Sequence, residues 1–243
     1  MVLSPGGQVV AVIPARGGSK GIPRKNLARV AGRPLIAWSI EAGLAAASVD
    51  RVVVSTDDEE IAEVARTLGA EVPFLRPTEL ARDDTPDLPV FQHLLDELDA
   101  PGAAGQGTSV ELLVHLRPTS PLRPEGLVDE GIRLLRADAD ADSVRSLSAP
   151  PKTPYKMWRV EHGVLEPLIG GWDRELFNQP RQQLPEVWVH DGVLDVVRAA
   201  VVRTGSMCGR RVLPLFTPPG TAVDIDTPDD LDRAAGMLDP SER

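Results

Sequence analysis

The chain has 243 residues, 42% of them hydrophobic and 26% charged, and a formal net charge of −10. That length buries one substantial core with a smaller excursion, and no apolar run reaches the roughly 18 residues of a membrane span. The acidic balance argues against a nucleic-acid partner, which demands an extended basic face, and the lone Cys208 excludes an intrachain disulfide or a cysteine-based zinc site. The opening MVLSPGGQ has neither the basic segment nor the apolar core of a signal peptide, so a cytoplasmic location is expected.

Residues 9–13 (VVAVI) have the length and β-branched composition of a buried strand, which breaks at Pro14 into a glycine-rich loop. Gly17, Gly18 and Gly21 let the backbone approach a ligand, while Arg16, Lys20, Arg24 and Lys25 place four positive charges within ten residues. In so acidic a chain this loop predicts a polyanion, with a triphosphate as the expected partner. Its spacing is neither that of a Walker A loop nor GxGxxG.

Residues 34–47 predict a helix turning Leu35, Trp38, Ala42 and Ala45 inward, and 51–55 a second strand closed by the capping residues Ser55, Thr56 and Asp57. A helix follows with Ile61, Val64, Ala65 and Leu68 on its inner face, ended by Gly69. Residues 71–75 suggest a short strand, followed by Arg76, an acidic loop with Asp83 and Asp84, and an amphipathic helix over 88–98. A surface loop is expected at 101–109, strands at 110–116 and 143–147, and a helix between them from about 125 to 136. This alternation predicts an α/β fold, a doubly wound and mostly parallel sheet.

The proline-rich stretch 149–187 interrupts the pattern and reads as an insertion within a single 1–243 domain, with short strands at 157–160 and 164–168. Strand-like segments resume at 188–197 and 211–216. A last helix over 227–238 starts with Thr227 at the cap, Pro228 at the first position and Asp230 at the third. In VDIDT, Asp224 and Asp226 alternate along a predicted strand and so share a face; a hard cation, Mg2+ above all, would relieve their repulsion. His93, His115, His162 and His190 lie in separate segments, and no nucleophilic triad is evident.

The string IPARGGSKGIPRKNL, followed in order by RPTSPLR, NQPRQQLP and VDIDT, resembles the acylneuraminate cytidylyltransferases, that is, the CMP-sialic acid synthetases and their CMP-Kdo relatives. The resemblance implies a Rossmann-like nucleotidyltransferase fold. It also implies transfer of CMP from CTP to the anomeric hydroxyl of a 2-keto-3-deoxy sugar acid, with magnesium at Asp224 and Asp226. By the same resemblance Arg16, Lys20, Lys25 and Lys156 serve the phosphates, and Ala15, Gly17, Asn26 and Arg76 complete the nucleotide site. The sugar acid would fall to Arg117, Thr119, Ser120, Gln179, Arg181 and Gln182, with Arg181 on its carboxylate. The insertion would reach across a homodimer to the partner's sugar pocket.

Two departures stand out. Arg117 replaces the glutamine common in sialic acid enzymes, and His190, Asp191 and Gly192 replace an asparagine-glycine-alanine segment. They leave open a nucleotidyltransferase using another NTP with a sugar 1-phosphate. A sugar-nucleotide-binding protein without turnover would require a damaged loop or carboxylate pair, and neither is visible.

Overall fold

The computed structural model describes residues 7–102 and 109–238; most of the loop expected at 101–109 lies outside the described residues. Strand β1 (Gln8–Pro14) carries five successive fully buried side chains, Val9 to Ile13, because both of its faces are covered. The later strands of the main sheet are β2 (Arg51–Ser55), β3 (Val110–His115) and β4 (Ser143–Ser148), then β7 (Val189–Arg198) and β8 (Val212–Phe216). Between them, β5 (Trp158–Glu161) and β6 (Val164–Pro167) pair only with each other. The sheet runs β8-β4-β7-β3-β1-β2, parallel except for β7, which is antiparallel to both of its neighbours.

Helices α1 (Leu35–Ala45), α2 (Glu59–Thr67) and α4 (Leu127–Ala137) cover one face, where Ile36, Ile40, Ile61 and Ile132 meet Val9, Ala11 and Ile13. On the other face, α3 (Asp87–Asp99) and α5 (Ala199–Arg203) bring Phe91, Leu94 and Val202 onto Val10 and Val12. The mostly parallel, doubly wound expectation therefore holds. A third cluster, Ile22, Leu122, Val223, Ile225 and Ala234, fastens the loop after β1 and the segment before α6 (Pro228–Leu238) to one another.

Four local expectations are corrected. Residues 71–75 form no strand, only a parallel bridge from Glu71 to Val53, since Pro73 has no N–H to continue a ladder. Helix α1 buries Leu35, Ile36, Ile40 and Gly43, whereas Trp38 and Ala42 are partly exposed and Ala45 exposed, because a strand and a loop pack on its other side. Helix α2 is capped by Asp58, whose carboxylate accepts from Ile61 N at 3.0 Å; Ser55 and Thr56 are buried at the end of β2. Asp224 and Asp226 lie outside any strand, although they alternate with the buried Val223 and Ile225 as expected. The cap at α6 is as expected: Thr227 Oγ1 and Asp230 bond reciprocally, with Thr227 N donating to Asp230 Oδ2 at 2.9 Å.

Candidate functional site

From β1 the chain steps to β2 on one side and returns to β3 on the other, so a crevice opens at their carboxyl ends, where ligands of open α/β sheets bind. The loop after β1 enters it under tight constraint. Gly17 N donates to Asp57 Oδ1 at 2.9 Å, and a Cβ on Gly17 would come within 2.7 Å of the Asp58 side chain. A Cβ on Gly21 would stand 2.5 Å from the Asp226 carbonyl, so the loop and the late acidic segment touch backbone to backbone. Both glycines are present for closeness of approach.

Every cation of the loop meets an acid. Arg16 and Lys20 bracket the Asp83 carboxylate at 2.8 and 2.5 Å, and the Lys20 hydrogen bond holds Asp83 below the usual carboxylate range. Lys25 reaches 200 residues along the chain to bond Ile225 O at 2.7 Å and Asp226 Oδ1 at 3.0 Å. Arg24 turns instead toward Asp58 and Glu60 near the start of α2, and so leaves the expected polyanion cluster. A cleft of about 320 Å³ is lined by Arg16, Lys25, Asn26, Arg76, Arg117 and Thr119, so these six expected residues do converge. Asn26 is buried and donates to Arg16 O at 2.9 Å. Arg76 is buried as well, its guanidinium bonded to Ser55 and Leu80, and burial pushes its pKa down to about 10. Ala15 and Lys20 lie off the cleft wall: Ala15 N is spent on Ser55 O at 2.9 Å, and Lys20 acts through Asp83.

Arg117 also lines a second cavity, of about 270 Å³, together with Ser120, His190, Asp191 and Asp224. Thr119 and Ser120, neighbours in sequence, thus face different spaces. Beneath Arg117 lies a polar layer that sequence reading missed. Strand pairing sets Asp195 of β7 opposite His115 of β3 and Arg145 of β4. Its carboxylate, with a side chain only 3% exposed, receives Arg117 at 2.8 Å, Arg145 at 3.2 Å and His190 Nε2 at 3.0 Å. Burial alone would raise the Asp195 pKa, but the hydrogen bond from His190 and the Arg117 charge hold it well below the carboxylate range. Burial, then Arg117, pushes His115 well below the imidazole range. The available signal was a charged residue inside the apolar run VLDVV.

The insertion keeps its residues apart from the cleft within one copy. Arg181 and Gln182 line a separate space of about 300 Å³ beside Thr153 and Trp188, and Arg181 donates to Pro150 O at 3.3 Å. Exposed Lys156 and half-buried Gln179 line none of these cavities. A larger groove, about 570 Å³, lies behind α1 around Trp38 and Ala42 and holds none of the expected site residues. Among the described residues no three His, Cys, Asp or Glu side chains cluster as a ready-made metal nest, and no helix is long and apolar enough to cross a membrane.

The sheet order, the cationic loop at the switch point and the acidic segment locked to it define a nucleotidyltransferase-like fold. Comparison with solved structures agrees: a CMP:2-keto-3-deoxy-manno-octonic acid synthetase complexed with CTP superposes with a TM-score of 0.66 over 95% of this chain and 98% of that one, at 19% identity. Residues 10–102 match the cytidylyltransferase family model. The N-acylneuraminate cytidylyltransferase of Escherichia coli O18:K1:H7 is 27% identical over 241 residues, 97% of this chain and 53% of that protein. A pseudaminic acid cytidylyltransferase of Campylobacter jejuni is 47% identical over 91 residues, 37% of this chain and 39% of that protein. The chain thus spans about half or less of the length of these relatives. Over residues 10–102 it is similar to the cytidylyltransferase family.

Proposed function

We propose that the chain transfers CMP from CTP to the anomeric hydroxyl of a 2-keto-3-deoxy sugar acid, with release of pyrophosphate. The observation that carries this reading is the Lys25 bridge, which joins the cationic loop on the wall of the larger cavity to the Asp224–Asp226 segment, whose Asp224 lines the smaller one. The larger cavity, with Arg16 and Lys25 on its wall, is assigned to the triphosphate, and Asn26 and Arg76 to the base. The smaller one, with Ser120 and Arg117, is assigned to the acid. Cations held before the reaction stabilise charge as it spreads over the transferring phosphoryl group, so positioning and electrostatics supply most of the acceleration.

The donor set near Lys25 fits a hard cation. Among the described residues Asp224 makes no hydrogen bond or ion pair, and the exposed Asp226 carboxylate is shared only with Lys25. Asp224 and Asp226 would hold magnesium, which takes one or two carboxylates and leaves its other positions to phosphate and water. When bound it would neutralise phosphate charge.

A homodimer suits the insertion, where Trp158, Trp172 and Phe177 stack with ring centroids 4.5 to 5.9 Å apart while Trp172 and Val160 stand exposed. In that arrangement Lys156, Gln179, Arg181 and Gln182 would serve the partner's cavity, a role none of them has within its own copy. The test is pyrophosphate release with magnesium, crossing CTP, GTP, UTP and ATP with sialic acid, Kdn, Kdo and sugar 1-phosphates. Release only with CTP and a keto acid is expected; release with another nucleotide and a sugar phosphate would keep the fold and replace the function.

A further inference from the structure

The small cavity holds a histidine for which the reaction above has no use. Two of the five polar side chains around this space are already committed. The Asp191 carboxylate accepts from Ser146 Oγ, from Val193 N at 3.1 Å and from Thr217 Oγ1 at 2.6 Å, and Arg117 is drawn to Asp195 and Asp87. Spare capacity among the described residues rests with three groups: the buried Ser120 hydroxyl, which has no partner, the Asp224 carboxylate, and one ring nitrogen of His190.

His190 is built for more than packing. Its side chain is one-third exposed, and its Nε2 is 3.0 Å from the buried Asp195 carboxylate. Arg117 and Arg145 keep that carboxylate ionised, so it accepts the Nε2–H and fixes the tautomer in which Nδ1 is the proton acceptor. The charged and titratable groups facing the pair are His115 and Arg117 from β3 and its following loop, Arg145 from β4, and Asp191 and Asp224 across the cavity.

We infer that His190 is the general base of the transfer and that Asp195 is its positioning residue; this rests on the cytidylyltransferase reading above. His190 Nδ1 takes the proton of the acceptor's anomeric hydroxyl as the O–H electron pair forms the bond to the α-phosphorus. The bond from that phosphorus to the bridging oxygen breaks, and its electrons leave with pyrophosphate. The imidazolium then returns its proton to solvent. The same cavity that admits the acid supplies the base.

His190→Gln keeps a donor for Asp195 and removes the acceptor. With CTP and the acid that turns over fastest, kcat should fall about 10²- to 10⁴-fold, while KM for both substrates stays within about threefold. The magnesium requirement should be unchanged, and the acid limb of the kcat profile should disappear. A kcat close to that of the unsubstituted chain would overturn the assignment, as would a loss confined to the acid's KM or to the magnesium requirement. CTP binding by calorimetry reports whether the variant is folded. If it is not, the unsubstituted chain decides: a kcat that does not change between about pH 5 and 8 rules out an imidazole base. Absence of pyrophosphate release from the unsubstituted chain with every acid tested would remove the parent reading itself, an outcome distinct from a working enzyme indifferent to His190.

Discussion

Two sets of cations meet at this cleft, and they are held in opposite ways. Those of the loop, Arg16, Lys20, Arg24 and Lys25, pair with acids that are themselves 19% to 73% exposed. Water screens such pairs, and each can be exchanged for another anion at small cost. Arg117 and Arg145 instead share one carboxylate, Asp195, that is 3% exposed and fixed by the register of three strands. Removal of one partner there strands a charge that water reaches poorly. The molecule thus keeps its replaceable charges where a polyphosphate would enter and its permanent ones beneath the second cavity.

The sharpest way to break this contrast is Asp195→Ala. It leaves the partly buried Arg117 and Arg145 without their shared carboxylate, and stability in urea should fall by about 3–5 kcal/mol. A loss below about 1 kcal/mol would mean that the layer is as exchangeable as the loop. Next is Lys25→Ala. Its side chain is the least exposed of the loop's cations, at 16%, and it carries the loop's hydrogen bonds to residues 225 and 226. Pyrophosphate release should drop about 10²- to 10³-fold with only modest loss of stability, as for removal of a single preorganised donor. A drop equal to that of Lys20→Ala would show that the cross-chain bridge adds nothing.

What the sequence makes legible follows the same division. The start of α6 at Thr227 and the buried β1 are local, written in neighbouring residues, and the structure agrees with both. The Asp195 layer is a product of cross-strand register: His115, Arg145 and Asp195 come from three distant segments, and nothing near any of them announces the other two. The altered segment His190-Asp191-Gly192 was visible as a departure, but its partner Asp195 was not, so the histidine had no evident use. Helix α1 misleads for a related reason. Its expected face assumed one partner surface, whereas its first turns are buried nearly all round, and Ser39 bonds both the Arg117 carbonyl and Arg123.

His115 offers a gentler probe of the buried layer. Neither ring nitrogen has a hydrogen-bond partner, and the ring packs edge-on against Phe91 at 4.7 Å. Unfolded, it takes a proton near pH 6.5; folded, burial and Arg117 delay protonation to a much lower pH. Between those values the unfolded chain binds more protons, so stability falls as pH drops below about 6.5, by at most about 1.4 kcal/mol per pH unit from this group. His115→Leu should flatten that slope while leaving the Asp195 contribution, which is lost only below about pH 4. An unchanged slope between about pH 6.5 and 5 would assign it to other groups.

The smallest effect tests the loop side. Asp83 bridges Arg16 and Lys20 with one carboxylate, and phosphate oxygens would compete for the same donors. If those pairs are exchangeable, Asp83→Asn frees both cations. Inorganic tripolyphosphate should then bind about two- to fivefold more tightly, and the gain should shrink as salt is raised. Weaker binding by the variant would reverse the argument. Asp83 would then be holding Arg16 in place for the ligand rather than standing in its way, and the loop's charges would be as fixed as those beneath Arg117.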